Sequence, residues 1–101
     1  MIRHIVMWTL KESADGKPKA QNAVRMRDAL EGMRPRIPEI LRLEVGLNAV
    51  QGPEAFDVVL VADFATRDDL ERYQAHPAHE QVKVFVRTVR ETRAVVDYEV
   101  P

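Results

Sequence analysis

The chain opens on a pattern of period two. Ile2, His4, Val6, Trp8 and Leu10 fall on one side of an extended segment, with Met1, Ile5 and Met7 on the other, which predicts a strand over residues 1–10. Asp15-Gly16 then marks a turn, and Pro18 suits the first turn of a helix, where its missing N–H costs nothing. From Lys19 the period changes: Ala23, Met26, Leu30 and Met33 recur at spacings of three and four, one apolar stripe of a helix that Pro35 and Pro38 bring to an end. Leu41, Leu43, Val45 and Leu47 alternate with Arg42, Glu44, Gly46 and Asn48 as a second strand, followed by a loop at Gln51-Gly52-Pro53. A third strand over residues 56–64 puts Val58, Leu60, Ala62 and Phe64 on one face and Val59 and Val61 on the other. Thr66 with Asp69 reads as an acidic variant of the capping box, opening a short helix with Leu70 and Tyr73 inward. His76-Pro77 breaks that helix, and Pro77 starts another that runs to Val89. In the last strand Ala94, Val96 and Tyr98 alternate with Val95, Asp97 and Glu99.

The order strand, helix, strand, strand, broken helix, strand predicts an α+β, ferredoxin-like fold: a four-stranded antiparallel sheet with helices on one face. Residues 1–101 make one domain of ordinary size. A single helix layer covers one face of the sheet, yet the first and third strands are apolar on both. A second copy of the chain is the simplest cover for the other face, so a homodimer is expected.

Charge narrows the partners. Lys and Arg total 15 against 16 Asp and Glu, a balance that argues against a nucleic-acid binder, which would need a basic face. Arg34, Arg36 and Arg42 form a local basic cluster that reads as a solvated edge. With no cysteine, disulfides and thiolate metal sites are excluded. The first residues enter directly into a strand pattern without a signal-peptide apolar run, and no stretch approaches the roughly 20 apolar residues of a membrane helix. A cytoplasmic protein with no membrane partner is the expectation.

Candidate chemistry centres on histidine. His4 sits mid-strand on an apolar face, and His79 is in line with Val82, Val86 and Val89, so both imidazoles point into one layer if that helix covers the His4 face. His79 lies in the first turn after Pro77, where the helix dipole disfavours the imidazolium and lowers its pKa, as a general base at neutral pH requires. Such a site would take a proton next to a carbonyl with His79, orient the carbonyl with His4 and hold the enolate with the Tyr73 hydroxyl. Structural roles fit equally: His4 as a core histidine donating to a carbonyl or carboxylate, His79 dressing a helix start, Tyr73 packing. His76 reads mainly as the residue that bounds a helix. His76, His79 and His4 together superficially resemble a three-histidine metal site, but no carboxylate stands at ligand spacing beside them, and no metal is expected. Ser13 is the sole serine and the four glycines are scattered, which leaves no serine triad or phosphate loop. Asp57, Asp63 and Asp97 are better explained by strand ends and edge salt bridges than by paired-carboxylate catalysis.

The opening Ile2-Arg3-His4-Ile5-Val6-Met7-Trp8, the segment Tyr73-Gln74-Ala75-His76-Pro77-Ala78-His79 and the ending Arg93-Ala94-Val95-Val96-Asp97-Tyr98 together resemble the stress-responsive A/B barrel (Dabb) family over essentially the whole chain. The resemblance implies a dimeric α/β barrel in which two sheets face one another. It implies catalytic positions at His4, His79 and Tyr73, by analogy with a plant polyketide cyclase of the family that performs an intramolecular aldol condensation without cofactor or metal. Val6, Trp8, Met26, Leu30 and His76 are the expected pocket residues. Leu30 replaces a tyrosine that lines the cyclase pocket, and Trp8 is larger than the residue at its position there, so a pocket filled by Trp8 would not admit the cyclase reaction itself. Two functions fit these residues: a small cofactor-independent cyclase, isomerase or lyase acting on a carbonyl compound, or a non-catalytic homodimer that binds a hydrophobic ligand or serves stress tolerance through stability. An open cavity touching His4, Tyr73 and His79 favours the first; a core filled by Trp8 favours the second.

Overall fold

The alternation at the N-terminus becomes the strand on which the rest is assembled. In the computed structural model, which describes residues 1–101, the elements run β1 (Ile2–Leu10), β2 (Ser13–Ala14), β3 (Lys17–Pro18), α1 (Lys19–Glu31), a short 3-10 turn (Arg34–Arg36), β4 (Arg42–Leu47), β5 (Val58–Phe64), α2 (Arg67–Ala75), α3 (Pro77–Val89) and β6 (Arg90–Glu99). The main sheet has the order β4-β5-β1-β6 with every neighbouring pair antiparallel, which is the ferredoxin-like arrangement. β1 is an inner strand. It pairs with β5 along one edge, setting His4 opposite Ala62, and with β6 along the other, setting His4 opposite Asp97.

Local chemistry explains the boundaries. Asp15 and Gly16 both take left-handed backbone (φ 57° and 72°), the requirement of a two-residue hairpin turn whose twist matches its strands. That hairpin modifies the expectation for Pro18. Paired with Ser13, it is held extended and precedes α1 as its N-cap residue instead of lying in the first helical turn. Thr66 Oγ1 accepts the Asp69 N–H at 3.1 Å and caps α2 as the Thr-x-x-Asp spacing predicts. His76 is the only residue between α2 and α3; its backbone is extended, and its Nδ1 accepts the Ala78 N–H at 3.0 Å. Pro77 takes the first position of α3, where no donor is needed.

All three helices lie on one face of the sheet, over a single core. Ile2, Val6, Trp8 and Leu10 of β1 meet Leu43 and Val45 of β4 and the even-numbered side of β5, with Ala23, Met26 and Leu30 of α1 packed above and Met33, the last residue of the predicted stripe, just beyond the helix end. Phe64 and Tyr73 pack within this core with their rings tilted by 45° and 4.9 Å between centroids. The helix layer does not reach across β6: Val95 and Asp97 share the face of Val6 and His4 yet remain exposed. No helix is long and apolar enough to cross a membrane.

The opposite face has no helix on it. The register sets Val61, Ile5 and Val96 side by side as one apolar row and Val59, Met7 and Ala94 as a second. Met7 and Val96 are exposed at 36% and 53%, and Val59, Ile5 and Val61 are half-buried. Gly46 continues the second row on β4, where a Cβ would stand 3.1 Å from Val59 Cγ1. One end of the apolar strip is closed by charge: Arg3 makes a two-pronged bond to Asp63 (2.8 and 3.1 Å), and Arg42 approaches the same carboxylate at 3.9 Å. The guanidinium bond holds the buried Asp63 below the usual carboxylate range, against the opposing effect of its burial.

Phe64→Ala removes a fully enclosed ring on which Tyr73 rests. Urea denaturation of this variant should show a stability loss of about 3–5 kcal/mol, the ordinary cost of deleting a large core aromatic.

Candidate active site

Between the sheet and α3 the core is open. The helix α3 packs chiefly against α1 and α2, and beneath it lies a cavity of about 390 Å³. His4, Val6 and Trp8 of β1 form its floor with Leu60 of β5; Leu30 comes from α1, Tyr73 and Gln74 from α2, and His79, Val82 and Val86 from α3. Trp8 is buried in the wall and does not plug the space.

The cavity collects His4, Tyr73 and His79 from three elements. The Tyr73 ring neighbours both imidazoles, 5.9 Å from His4 in an edge-on arrangement and 4.5 Å from His79. Each imidazole is anchored through Nδ1. His4 Nδ1 bonds the Asp97 carboxylate, and His79 Nδ1–H donates to the Gln74 carbonyl at 3.1 Å. These bonds fix the ring orientations and leave Nε2 of each without an intrachain partner. The Tyr73 hydroxyl has none either. Because no buried side-chain nitrogen or oxygen lacks a partner, all three atoms reach accessible space.

Burial acts on two of these groups in useful directions. It lowers the His79 pKa from its ordinary value; the Gln74 bond partly opposes this, and the positive charge of Lys83 adds to it. Burial raises the Tyr73 pKa strongly, against a smaller opposite pull from Arg93. Neutral imidazole and neutral phenol are therefore the forms present near pH 7. The first is a proton acceptor and the second an O–H donor.

The remaining sequence expectations separate cleanly. Val6, Trp8 and Leu30 line the cavity; Met26 and His76 do not. Met26 lies on the predicted stripe, one turn before Leu30, but is completely enclosed in the core. His76 spends its Nδ1 on the start of α3, and no group of three or more His, Asp or Glu side chains is arranged to hold a metal ion. Sequence reasoning missed Gln74, Asp97, Lys83, Arg87, Arg90 and Arg93. Lys83 and Arg87 carried a signal, standing four and eight residues after His79 on the same side of α3. Asp97 and Arg93 reach the site through the pairing of β6 with β1, which no local spacing records.

Comparison with known proteins accords with this architecture. The family described as the Stress responsive A/B Barrel Domain, or Dabb, matches residues 2–100. The chain belongs to the Dabb family. An uncharacterized protein of Streptomyces coelicolor is 31% identical over 100 residues, 98% of this Dabb chain and 99% of its own length. A crystal structure of a dimeric protein of unknown function with a ferredoxin-like fold, from Bacteroides fragilis, is also 31% identical, with a TM-score of 0.83 over 98% of this chain and 95% of that one. The hydroxynitrile lyase of Passiflora edulis superposes with a TM-score of 0.81 at 16% identity, covering 99% of this chain and 93% of the lyase, a likeness of fold.

A histidine whose folded pKa lies below its unfolded value of about 6.5 makes the folded state the poorer proton binder. His79 thus contributes stability above that value and loses it as pH falls through the folded pKa. NMR titration should place its midpoint below that of an unstructured histidine. Between about pH 7 and pH 5, denaturation should show the native chain losing more stability than His79→Gln.

Proposed function

We propose that this Dabb protein is a homodimer and a small cofactor-independent enzyme performing acid/base chemistry on a carbonyl compound, of the cyclase, isomerase or lyase type. The observation that carries the reading is that His79, His4 and Tyr73, each with an unpartnered polar atom (Nε2, Nε2 and the hydroxyl), line one cavity of mixed polar and apolar character. His79 Nε2 takes the proton from the carbon beside the carbonyl. The electron pair moves to the carbonyl oxygen, and the Tyr73 O–H donates to the resulting enolate. His4, held by Asp97, orients the carbonyl from the sheet side. His79 then returns its proton to the product, so no cofactor is consumed. The Passiflora edulis lyase supports the reading only by placing an enzyme on the same fold.

The dimer reading rests on the helix-free face. Its two apolar rows need cover, and the dimeric Bacteroides fragilis relative shares 31% of the sequence. A partner on that face leaves the cavity, on the opposite side of the sheet, accessible.

Proton abstraction is measurable before a natural substrate is known. In D2O the protein should accelerate exchange of the hydrogens beside the carbonyl of 4-phenyl-2-butanone, read by NMR. His79→Gln should remove roughly 10²–10⁴-fold of that acceleration, and Tyr73→Phe a smaller part. Equal exchange with native protein and His79→Gln, in samples that both bind the ketone, would leave a binding cavity without catalysis.

For assembly, sedimentation of the native chain should give twice its mass of 11.6 kDa. Val61→Glu, which sets a charge in the middle of an apolar row, should give a folded monomer. A native monomer at all concentrations would sink the dimer.

A further inference from the structure

The charged residues that line the cavity are all of one sign; the Asp97 carboxylate, which does not line it, is bonded to His4 Nδ1. Lys83 and Arg87 from α3, Arg90 at the helix-to-strand junction and Arg93 from β6 line the cavity, and no Asp or Glu does. The chain as a whole carries a net charge of −1, so this is a local concentration and not a general basic character. Lys83 is paired with Glu80 at 3.2 Å, but Arg87, Arg90 and Arg93 have no carboxylate within 4 Å. Arg3, Arg25, Arg42 and Arg72 each lie against one, whereas Arg34, Arg36 and Arg67 do not; what sets Arg87, Arg90 and Arg93 apart is that the fold gathers them on one cavity. A place in the last turn of α3 accounts for Arg87 through the helix dipole. It does not account for Arg93, which stands on a strand opposite Trp8 and faces the cavity.

We propose that the cavity takes a small carbonyl compound bearing an oxyanion head, a carboxylate or a phosphate, and that Arg87, Arg90 and Arg93 hold this head while the carbonyl lies at Tyr73 and His79. The inference rests on the acid/base reading of the same cavity. Guanidinium groups present paired N–H donors that match the oxygens of both heads, and they keep their charge at any working pH. At about 390 Å³ the space lies near the small end of ligand pockets, roughly 300–1,000 Å³. The positive field also acts where the reaction develops charge. Arg93 favours a negative oxygen at Tyr73, and an enolate oxygen in the adjoining space gains in the same way. The arginines thus fix which end of the substrate enters and favour the intermediate.

The test compares three probes of similar size on the intact ¹⁵N-labelled protein: benzoate, phenyl phosphate and the uncharged benzamide. Chemical shifts of the His79 ring and the arginine side chains report binding. At least one anion should bind roughly tenfold or more tighter than benzamide and shift His79, with an affinity that falls as salt rises. Arg93→Gln and Arg87→Gln, both at exposed positions, should each weaken the anion by roughly tenfold and leave benzamide unchanged. The tighter of the two anions assigns the head as carboxylate or phosphate. Benzamide binding as tightly as both anions, with His79 shifting, overturns the anion proposal while the cavity reading stands. Anion binding that needs the arginines but never shifts His79 overturns the acid/base reading and this proposal with it.

Discussion

The antiparallel pairing of β1 with β6 sets Asp97 opposite His4 and Arg93 opposite Trp8, and it ties the last strand of the chain to the first. Hydrogen-bond register in a sheet admits no small adjustment. A slip by one residue would turn every side chain of β6 to the other face, taking Asp97 from His4 and Arg93 from the cavity together. The same slip would bring Asp97 into the apolar row now held by Val96, so the burial preferences of both faces act to hold one register. The geometry around His4 is in this sense a property of the sheet.

Division of the sheet into two faces explains how a chain of this length supports both a core and an opening. One face carries the helices, and its residues contribute the apolar burial from which most of the stability derives. A fully packed layer would leave no cavity. Here α3 leans on its neighbouring helices and passes directly into β6 at Arg90, so the space between it and the sheet remains open. The other face keeps two rows of apolar side chains exposed or half-buried, in a domain small enough that a partner adds substantially to what it can bury.

What was legible in the sequence and what was not follow from the range of the forces involved. The strand alternation, the Thr66 cap and the break at Pro77 are encoded within a few residues, and the structure reproduces them. Tyr73 and His79 each read as inward on their own helices, and the one-residue joint at His76 is what brings the two rings within 4.5 Å. Met26 and Leu30 looked alike because they share a stripe; only three-dimensional packing separates the enclosed side chain from the one facing the opening. Asp97 reads from the sequence as a strand carboxylate; its bond to His4 has no local signature, since the two are 93 residues apart and meet only once the sheet has formed. Arg87, Arg90 and Arg93 come together only where α3 runs into β6 and β6 pairs with β1, whereas Arg34, Arg36 and Arg42 cluster in sequence and do not line the cavity.

The junction between α2 and α3 has a mechanical meaning. One residue, His76, joins two helices, and its imidazole is itself committed to the second of them. There is no slack in such a joint. Tyr73 and His79, on either side of it, are further tied by the bond from His79 to the Gln74 carbonyl, so the pair behaves as a single bracket with few soft torsions. A rearrangement of the cavity that keeps this bond leaves the spacing of tyrosine and histidine as it is, and only their distance to His4 on β1 is then free to change.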